Sequence, residues 1–305
     1  MRKTLLMISL ILGITLSGCT TISKGEYTQK WSPNAAEFIQ LDDGVTLRYV
    51  RTGNGPPLVL LHTIRTQLDY YEKLVPMLSK QYEVFVLDLP GHGQSSISKN
   101  EYTEAFFRQM TKAFITRLDL KDVTLAGESI GGVLALTVAS ELPERIKQVY
   151  ALNPYDYGEK FGGGIRRSQQ GWMVGLFNIF GQYTLEPRFV TGAVMRGGFY
   201  DPAQLPEYLL TEFSHTGMRE GYRAVEYSVF KHWKTWIEAR TMYSHVHAPV
   251  TLIYGSDDWS NTQERTRNQT AIAHAKLITI EHSGHFTALE SPEKVADILL
   301  APPHK

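Results

Sequence analysis

The sequence predicts an α/β fold in which a mostly parallel, twisted sheet carries helices on both faces, with a helical lid inserted late in the chain. Short aliphatic runs, typical of strands buried on both faces, recur along the 305 residues. Segments with helical spacing separate these runs, and the alternation indicates βαβ units with right-handed crossovers. Residues 155–243 break the alternation and hold 18 of the 34 aromatic residues, which favours an inserted segment that covers the sheet's carboxyl edge.

The composition is that of a globular protein. Hydrophobic residues make up 43% and charged residues 20% of the chain, and 31 basic residues balance 31 acidic ones. A disordered chain has fewer apolar residues and a larger net charge, and a nucleic-acid-binding domain usually has a basic excess. We therefore expect a chain with a substantial core, no nucleic-acid partner and no disulfide framework.

The N-terminus has the pattern of a secretion signal. Arg2 and Lys3 precede an uncharged, mostly apolar run over residues 5–16, which is too short to span a bilayer as a mature helix. The run ends at Leu16-Ser17-Gly18-Cys19, which resembles the lipobox of bacterial lipoproteins. This resemblance implies cleavage before Cys19 and acylation of that residue, and several acyl chains would anchor the protein stably. A plain secretory signal beside a free cysteine is the alternative.

The sequence predicts four divisions. They are a signal peptide over residues 1–18, a tether over 19–35, a core in two parts over 36–153 and 244–305, and an inserted lid over 154–243. A lipid anchor would place the protein in the bacterial cell envelope. Thr20 follows the cysteine where an aspartate would be expected for inner-membrane retention, so the analogy with lipoproteins favours the outer membrane, facing the periplasm, if the source has one.

The elements are predicted in chain order. Asp42-Asp43-Gly44, between two short strand-like runs, predicts a hairpin over residues 37–50. Six aliphatic runs predict further strands: 58–61, 84–87, 123–126, 146–152, 250–254 and 277–280. Helical spacing or helix-favouring residues predict four helices outside the lid: 68–79, 101–118, 131–142 and 292–300.

Gly127-Glu128-Ser129-Ile130-Gly131 matches the pattern G-x-S-x-G, which alone recurs by chance. Here it lies between a predicted buried strand and a helix of small residues, the context that the motif requires. The glycines allow a turn so tight that flanking Cβ atoms would clash, and the serine is forced into a strained backbone region. We therefore predict Ser129 as a nucleophile at a helix N-terminus, where the helix dipole favours developing negative charge.

A serine hydroxyl needs a base to become a nucleophile at neutral pH. His285 stands in Ser283-Gly284-His285-Phe286 just after the last predicted strand, which returns it to the sheet's carboxyl edge beside Ser129. We predict His285 as the base. His282 is the competing candidate, but it lies closer to the strand end and lacks a preceding glycine.

The base in turn needs an acid that fixes its tautomer and stabilises the imidazolium. Gly255-Ser256-Asp257-Asp258-Trp259 follows the predicted strand 250–254, and Asp258 is our first candidate. Asp257 is a local alternative. Asp156, which follows an earlier strand, is a second alternative.

Five motifs in this order resemble the α/β-hydrolase family, in its lidded, single-domain form, over about residues 36–300: Leu60-Leu61-His62, Asp88-Leu89-Pro90-Gly91-His92-Gly93-Gln94-Ser95, the G-x-S-x-G turn, Gly255 to Trp259, and Gly284-His285-Phe286. The resemblance implies hydrolysis of esters, thioesters, amides or carbon–carbon bonds, with no cofactor and no metal. Relatives that open epoxides or displace halides normally have an acidic nucleophile, so Ser129 argues against both activities.

The resemblance also implies an oxyanion hole. It should use the backbone N–H of Ile130 and one from the loop after the first aliphatic strand, where Ile64 is the candidate by position. Family members usually have His-Gly in that loop, whereas this chain has the β-branched Thr63, which does not readily adopt a positive φ. We expect a differently shaped loop, in which Arg65, together with Gln67, faces the pocket and binds a substrate carboxylate or other polar group. An exposed arginine is the alternative.

The expected function is that of a membrane-anchored serine hydrolase, resembling carboxylesterases and lipases. It would cleave an ester-type bond of a small, apolar or aromatic substrate through an acyl-enzyme. The same triad could instead serve carbon–carbon bond hydrolysis or perhydrolysis. The scaffold could also be a non-catalytic ligand-binding protein, since a fold alone does not establish activity.

Overall fold

The computed structural model describes residues 27–157, 188–272 and 274–301. Their strands, in chain order, are β1 Glu37–Gln40, β2 Thr46–Thr52, β3 Pro57–Leu61, β4 Glu83–Leu87, β5 Val123–Glu128, β6 Ile146–Leu152, β7 Val250–Gly255 and β8 Lys276–Ile280. Their α-helices are α1 Val75–Leu78, α2 Glu104–Arg117, α3 Ile130–Glu141, α4 Arg188–Arg196, α5 Glu207–Gly217, α6 Tyr222–Lys231, α7 Trp233–Glu238, α8 Thr262–Ala271, α9 Thr287–Glu290 and α10 Pro292–Leu300. Short 3₁₀ helices lie at Thr28–Lys30, Asp42–Gly44, Leu68–Tyr71, Pro202–Gln204 and Ala239–His245.

The eight strands form one sheet in the order β1-β2-β4-β3-β5-β6-β7-β8. β2 is antiparallel to β1 and to β4, and all the remaining neighbours are parallel. The carboxyl ends of β3 and β5–β8 therefore meet at one edge of the sheet, where loops from distant parts of the chain come together. The predicted fold class, a mostly parallel sheet with helices, is confirmed.

The core lies on both faces of the sheet. In β3, Val59 and Leu61 belong to the hydrophobic cluster on one face, whereas Leu58 and Leu60 belong to the cluster on the other. This alternation explains why the strand is aliphatic at every position. Helix α3 packs on the sheet through small residues and is buried along most of its length, so it holds the turn before it rigidly in place.

Outside the inserted segment, four helices differ from the sequence prediction. The predicted helix 68–79 is a 3₁₀ turn, Leu68–Tyr71, followed by α1, because Pro76 has no N–H with which to continue a helix from residue 72. Helix α2 begins at residue 104 and not at 101, since the Thr103 side chain caps it by accepting a hydrogen bond from the Phe106 N–H. Helices α8 and α9 were not predicted, although the capping box of α8, between Asn261 and Glu264, is visible in the sequence.

The segment between β6 and β7 contains helices α4 to α7, as the predicted helical insertion requires. Residues 158–187 of the predicted lid lie outside the described residues, as do the predicted signal peptide, Cys19 and the start of the tether. The end of the predicted tether is packed against the domain: Thr28 Oγ1 and Trp31 Nε1 both donate to the buried carboxylate of Asp69, at 2.9 and 2.7 Å. Among the described residues, no helix has the length and apolarity needed to cross a membrane.

Candidate active site

Ser129 occupies the sharp turn between β5 and α3. Its backbone has φ +60° and ψ −120°, a region that residues with a side chain rarely adopt. The two glycines of the motif are required by close packing. A Cβ on Gly127 would lie 2.2 Å from the carbonyl oxygen of Gly131, and a Cβ on Gly131 would lie 2.1 Å from that of Leu61. The tight turn therefore has the local geometry that the sequence motif predicts.

His285 lies in the loop between β8 and α9, and its imidazole faces Ser129. The distance between His285 Nε2 and Ser129 Oγ is 2.9 Å. The His285 N–H donates to the carbonyl oxygen of Gly198, in the inserted segment, at 2.6 Å. The competing candidate, His282, is exposed and lies against the ring of Tyr200.

Asp258 completes the arrangement. Its Oδ1 lies 2.5 Å from His285 Nδ1, and its Oδ2 accepts the backbone N–H of Ser260 at 3.0 Å and the hydroxyl of the same residue. Burial alone would raise the pKa of Asp258, but the neighbouring His285 ring and the hydrogen bonds from His285 and Ser260 outweigh burial, so this pKa lies below its usual value. The carboxylate is therefore ionised and able to orient the imidazole.

The two alternative acids make other contacts. Asp257 is exposed and accepts a hydrogen bond from the hydroxyl of Ser256. Asp156 is buried and accepts from Tyr243 Oη at 2.7 Å and from Asn268 Nδ2 at 2.9 Å. Burial raises the pKa of Asp156 to about 6, although these hydrogen bonds oppose the shift.

The His285 ring is also held by aromatic side chains. Trp259, the residue after Asp258, stacks on it with ring centroids 4.0 Å apart and planes inclined by 13°. Tyr155 meets it edge to face at 5.6 Å. The imidazole thus has a fixed plane as well as a fixed hydrogen-bond partner at each nitrogen. No role was predicted for Trp259 from the sequence, where it appeared only as part of a motif.

A narrow cavity lies next to the Ser129 side chain. Its wall is largely apolar: Ile64, Val194, Met195, Phe230, Trp259 and Phe286. Two of these residues come from α4, so the inserted segment forms part of the site. A lining of this kind favours an apolar group.

In the loop after β3, Thr63 does not adopt a positive φ. The left-handed backbone conformation is found at Arg65, with φ +67°. The Thr63 carbonyl is held inside the loop by the hydroxyl of Thr66 at 2.7 Å. Of the two predicted oxyanion donors, Ile64 lines the cavity, and Ile130 is the first residue of α3, where a backbone N–H has no partner within the helix.

Arg65 is buried, so the exposed alternative is wrong. Its Nη2 lies 2.5 Å from Oε1 of the fully buried Glu226, and its guanidinium lies 4.9 Å from the centre of the Phe230 ring. The side chain lines the cavity beside Ser129. Gln67, expected to share this role, instead contacts Asp69 and Thr216.

Two other histidines border the site. His62 Nε2 accepts the N–H of Leu89 at 2.9 Å, and burial lowers the pKa of His62 to about 4. Burial likewise lowers the pKa of His92 to about 3. Both rings are neutral at pH 7 and support the loops around the site.

The comparisons with known proteins agree with this geometry. A family model described as alpha/beta hydrolase fold matches residues 56–292. The chain belongs to the α/β-hydrolase fold family. It is 26% identical over 275 residues to the (E)-2-((N-methylformamido)methylene)succinate hydrolase of Acinetobacter baylyi, covering 87% of this chain and 97% of that protein.

Two further proteins resemble this α/β hydrolase over most of its length. It is 27% identical over 258 residues to the pimeloyl-[acyl-carrier protein] methyl ester esterase of Nitrosomonas europaea, covering 80% of this chain and 94% of that protein. A solved structure of the meta-cleavage product hydrolase from Pseudomonas fluorescens superimposes with a TM-score of 0.71 at 20% identity, covering 86% of this chain and 95% of that one.

Proposed function

We propose that this protein is a serine hydrolase that cleaves an ester-type bond of a small, largely apolar substrate. The observation that carries the proposal is the continuous chain of contacts from Ser129 through His285 to Asp258, with distances of 2.9 and 2.5 Å. All three side chains are buried, which strengthens the hydrogen bonds and charges that act on the reacting atoms.

The reaction follows from these positions. His285 Nε2 takes the hydroxyl proton of Ser129 as Oγ attacks the acyl carbon, and Asp258 stabilises the resulting imidazolium at Nδ1. The N–H groups of Ile130 and Ile64 stabilise the tetrahedral oxyanion. The imidazolium then gives its proton to the leaving group. Water attacks the acyl-enzyme with His285 again as the base, and Ser129 is regenerated.

We propose that Arg65 binds a carboxylate or another polar group of the substrate. Its guanidinium is fixed by Glu226 and Phe230 at the wall of an otherwise apolar cavity, where one placed polar group would orient a substrate. The relative from Acinetobacter baylyi is named for a succinate substrate, which carries carboxylates. Arg65→Ala should raise KM for acidic esters, with unchanged KM for neutral esters of equal size. Equal KM values for wild type and variant on both series would reject this role.

A fluorophosphonate probe tests the nucleophile. The wild type should be labelled at Ser129, as mapped by peptide mass spectrometry, and Ser129→Ala should not. A panel of p-nitrophenyl esters of increasing acyl length should then show turnover that ends when the acyl group exceeds the cavity. A labelled enzyme that turns over no ester would point to carbon–carbon cleavage or perhydrolysis. Tight ligand binding with neither labelling nor turnover would identify a binding protein.

We also propose that Cys19 carries the lipid anchor and holds the hydrolase at a bacterial envelope membrane. Supporting this are the basic start, the apolar run and the Leu-Ser-Gly-Cys sequence before a polar segment. Cells grown with an alkyne-tagged palmitate should incorporate the tag into the wild type and not into Cys19→Ser. A wild-type protein that stays untagged and soluble after export would reject the anchor.

A further inference from the structure

Glu128, the residue before the nucleophile, has a side chain to which the sequence motif assigns no role. It ends β5 and is completely buried, although every other position of this strand is taken by a small, apolar or hydroxyl-bearing residue. Burying a carboxylate is costly unless it is fully hydrogen-bonded. Such a group in the wall of an active site therefore calls for an explanation.

Four donors converge on the Glu128 carboxylate. Oε1 accepts the Thr287 N–H at 2.7 Å and Asn153 Nδ2 at 3.0 Å, whereas Oε2 accepts the Ala288 N–H at 3.2 Å and the hydroxyl of Tyr70. Burial still raises the pKa of Glu128 to about 8 despite these donors.

Three of these donors act on the loop that carries the base. Thr287 and Ala288 are the second and third residues after His285, and their N–H groups both point at the same carboxylate. Asn153 Nδ2 also lies 2.9 Å from the carbonyl oxygen of His285, while Asn153 Oδ1 accepts the N–H of Gly255. The carboxylate therefore ties the His285 backbone to the strand that carries Ser129.

The opposite end of the same loop is held by a second carboxylate. Glu290 Oε2 accepts the Gly284 N–H at 2.7 Å and the Tyr200 N–H of the inserted segment at 3.1 Å. The His285 peptide is thus fixed from both sides, and only the Glu128 side connects directly to the nucleophile's own strand.

We infer that Glu128 is a positioning residue that, together with Asn153, keeps His285 Nε2 within hydrogen-bond distance of Ser129 Oγ. The effect on turnover that this inference predicts rests on the proposed function. The effect on the position of the His285 ring does not depend on that function. A displacement of about 1 Å in a reacting group can reduce turnover by about 100-fold.

The test compares Glu128→Gln with Glu104→Gln, a matched control that also replaces a buried carboxylate, on helix α2 outside the site. The assay is run at pH 9, where the wild-type Glu128 carboxyl is ionised. Glutamine keeps the size of the side chain but presents an NH₂ group to donors, so at least one of the four loses its acceptor. We expect kcat on the best p-nitrophenyl ester to fall by about 100-fold with KM within about twofold in Glu128→Gln. Both parameters should be unchanged in Glu104→Gln.

A second readout does not depend on activity. The proton in the short bond between His285 Nδ1 and Asp258 Oδ1 should give a far-downfield resonance in the ¹H NMR spectrum. This resonance should shift or broaden in Glu128→Gln and stay in place in Glu104→Gln. If the wild type neither reacts with the fluorophosphonate nor turns over esters, the proposed function fails, yet the resonance still decides whether Glu128 positions the ring.

If Glu128→Gln does not fold, Asn153→Gly replaces it. Asn153 has φ +41°, and glycine tolerates this left-handed backbone while removing the amide that joins Glu128 to His285. A folded variant at either position with wild-type kcat and an unmoved downfield resonance would overturn the inference.

Discussion

The buried carboxyl of Glu128 should make folding stability depend on pH between about 4.5 and 8. Its pKa is about 8 in the folded chain, against an ordinary value of 4.5. Because the folded state holds the proton more tightly than the unfolded state, this group favours folding most strongly below pH 4.5. The contribution is lost as the pH rises through 8.

The magnitude follows from the two pKa values. One pKa unit of difference between folded and unfolded states corresponds to about 1.4 kcal/mol, so the full loss is about 5 kcal/mol. Of this, about 4 kcal/mol falls between pH 5 and pH 8.5. Glu128→Gln has a side chain of the same size that does not ionise. Its stability relative to the wild type should therefore increase by about 4 kcal/mol across that pH range.

Urea unfolding at a series of pH values from 5 to 8.5, followed by tryptophan fluorescence, measures this difference directly. Taking the difference between variant and wild type cancels the pH dependence of all other groups. Asp156→Asn is the matched control. The pKa of Asp156 is about 6 in the folded chain, against an ordinary value of 3.8. The pH-dependent change in its free energy of unfolding should therefore be smaller, about 3 kcal/mol, and should occur at lower pH. A difference between Glu128→Gln and wild type that is the same at every pH would refute the reasoning.

Three further outcomes follow from the contacts. Asp258→Asn should lower kcat on the ester substrate by about 10⁴-fold. The control Asp257→Asn, at an exposed residue, should leave kcat unchanged. Equal effects of the two variants would contradict the pairing of Asp258 with His285. Gly131→Ala places a methyl group against the Leu61 carbonyl, so little soluble protein should accumulate, and wild-type yield and melting temperature would count against the tight turn. Thr103→Ala removes the cap of α2 and should cost about 1 kcal/mol in urea unfolding with kcat unchanged.

The fold could be predicted from the sequence because the patterns that indicate its strands and helices are local. A strand buried on both faces is aliphatic at each position, and runs such as 58–61 and 123–126 lie within strands of the observed sheet. The helix errors came from local chemistry of the same kind, such as Pro76 and the Thr103 cap, and could have been avoided. The contacts around the site are different, because they join residues that are far apart in the chain.

Glu128 illustrates why the remainder of the site was not predictable. In the sequence it is an unspecified position within a five-residue motif, and its meaning depends on Thr287 and Asn153, which are 159 and 25 residues away. Arg65 is a similar case: its position two residues after Thr63 was noted, but its burial depends on Glu226 in a helix of the inserted segment. Pairings of this kind have no local pattern and emerge only when the sheet brings the loops together.

The inserted segment contacts residues of the site on both sides of Ser129, so it forms part of the site and does not only cover it. On one side, Gly198 accepts the backbone N–H of His285. On the other, Glu226 holds the guanidinium of Arg65, two residues after Thr63, in the loop where a family member would have glycine. Because Arg65 adopts the left-handed conformation that this loop needs, at a position where a side chain is normally unfavourable, its ion pair with Glu226 offsets part of the strain. A helix of the insertion therefore supports the shape of the loop that carries Thr63 and Arg65.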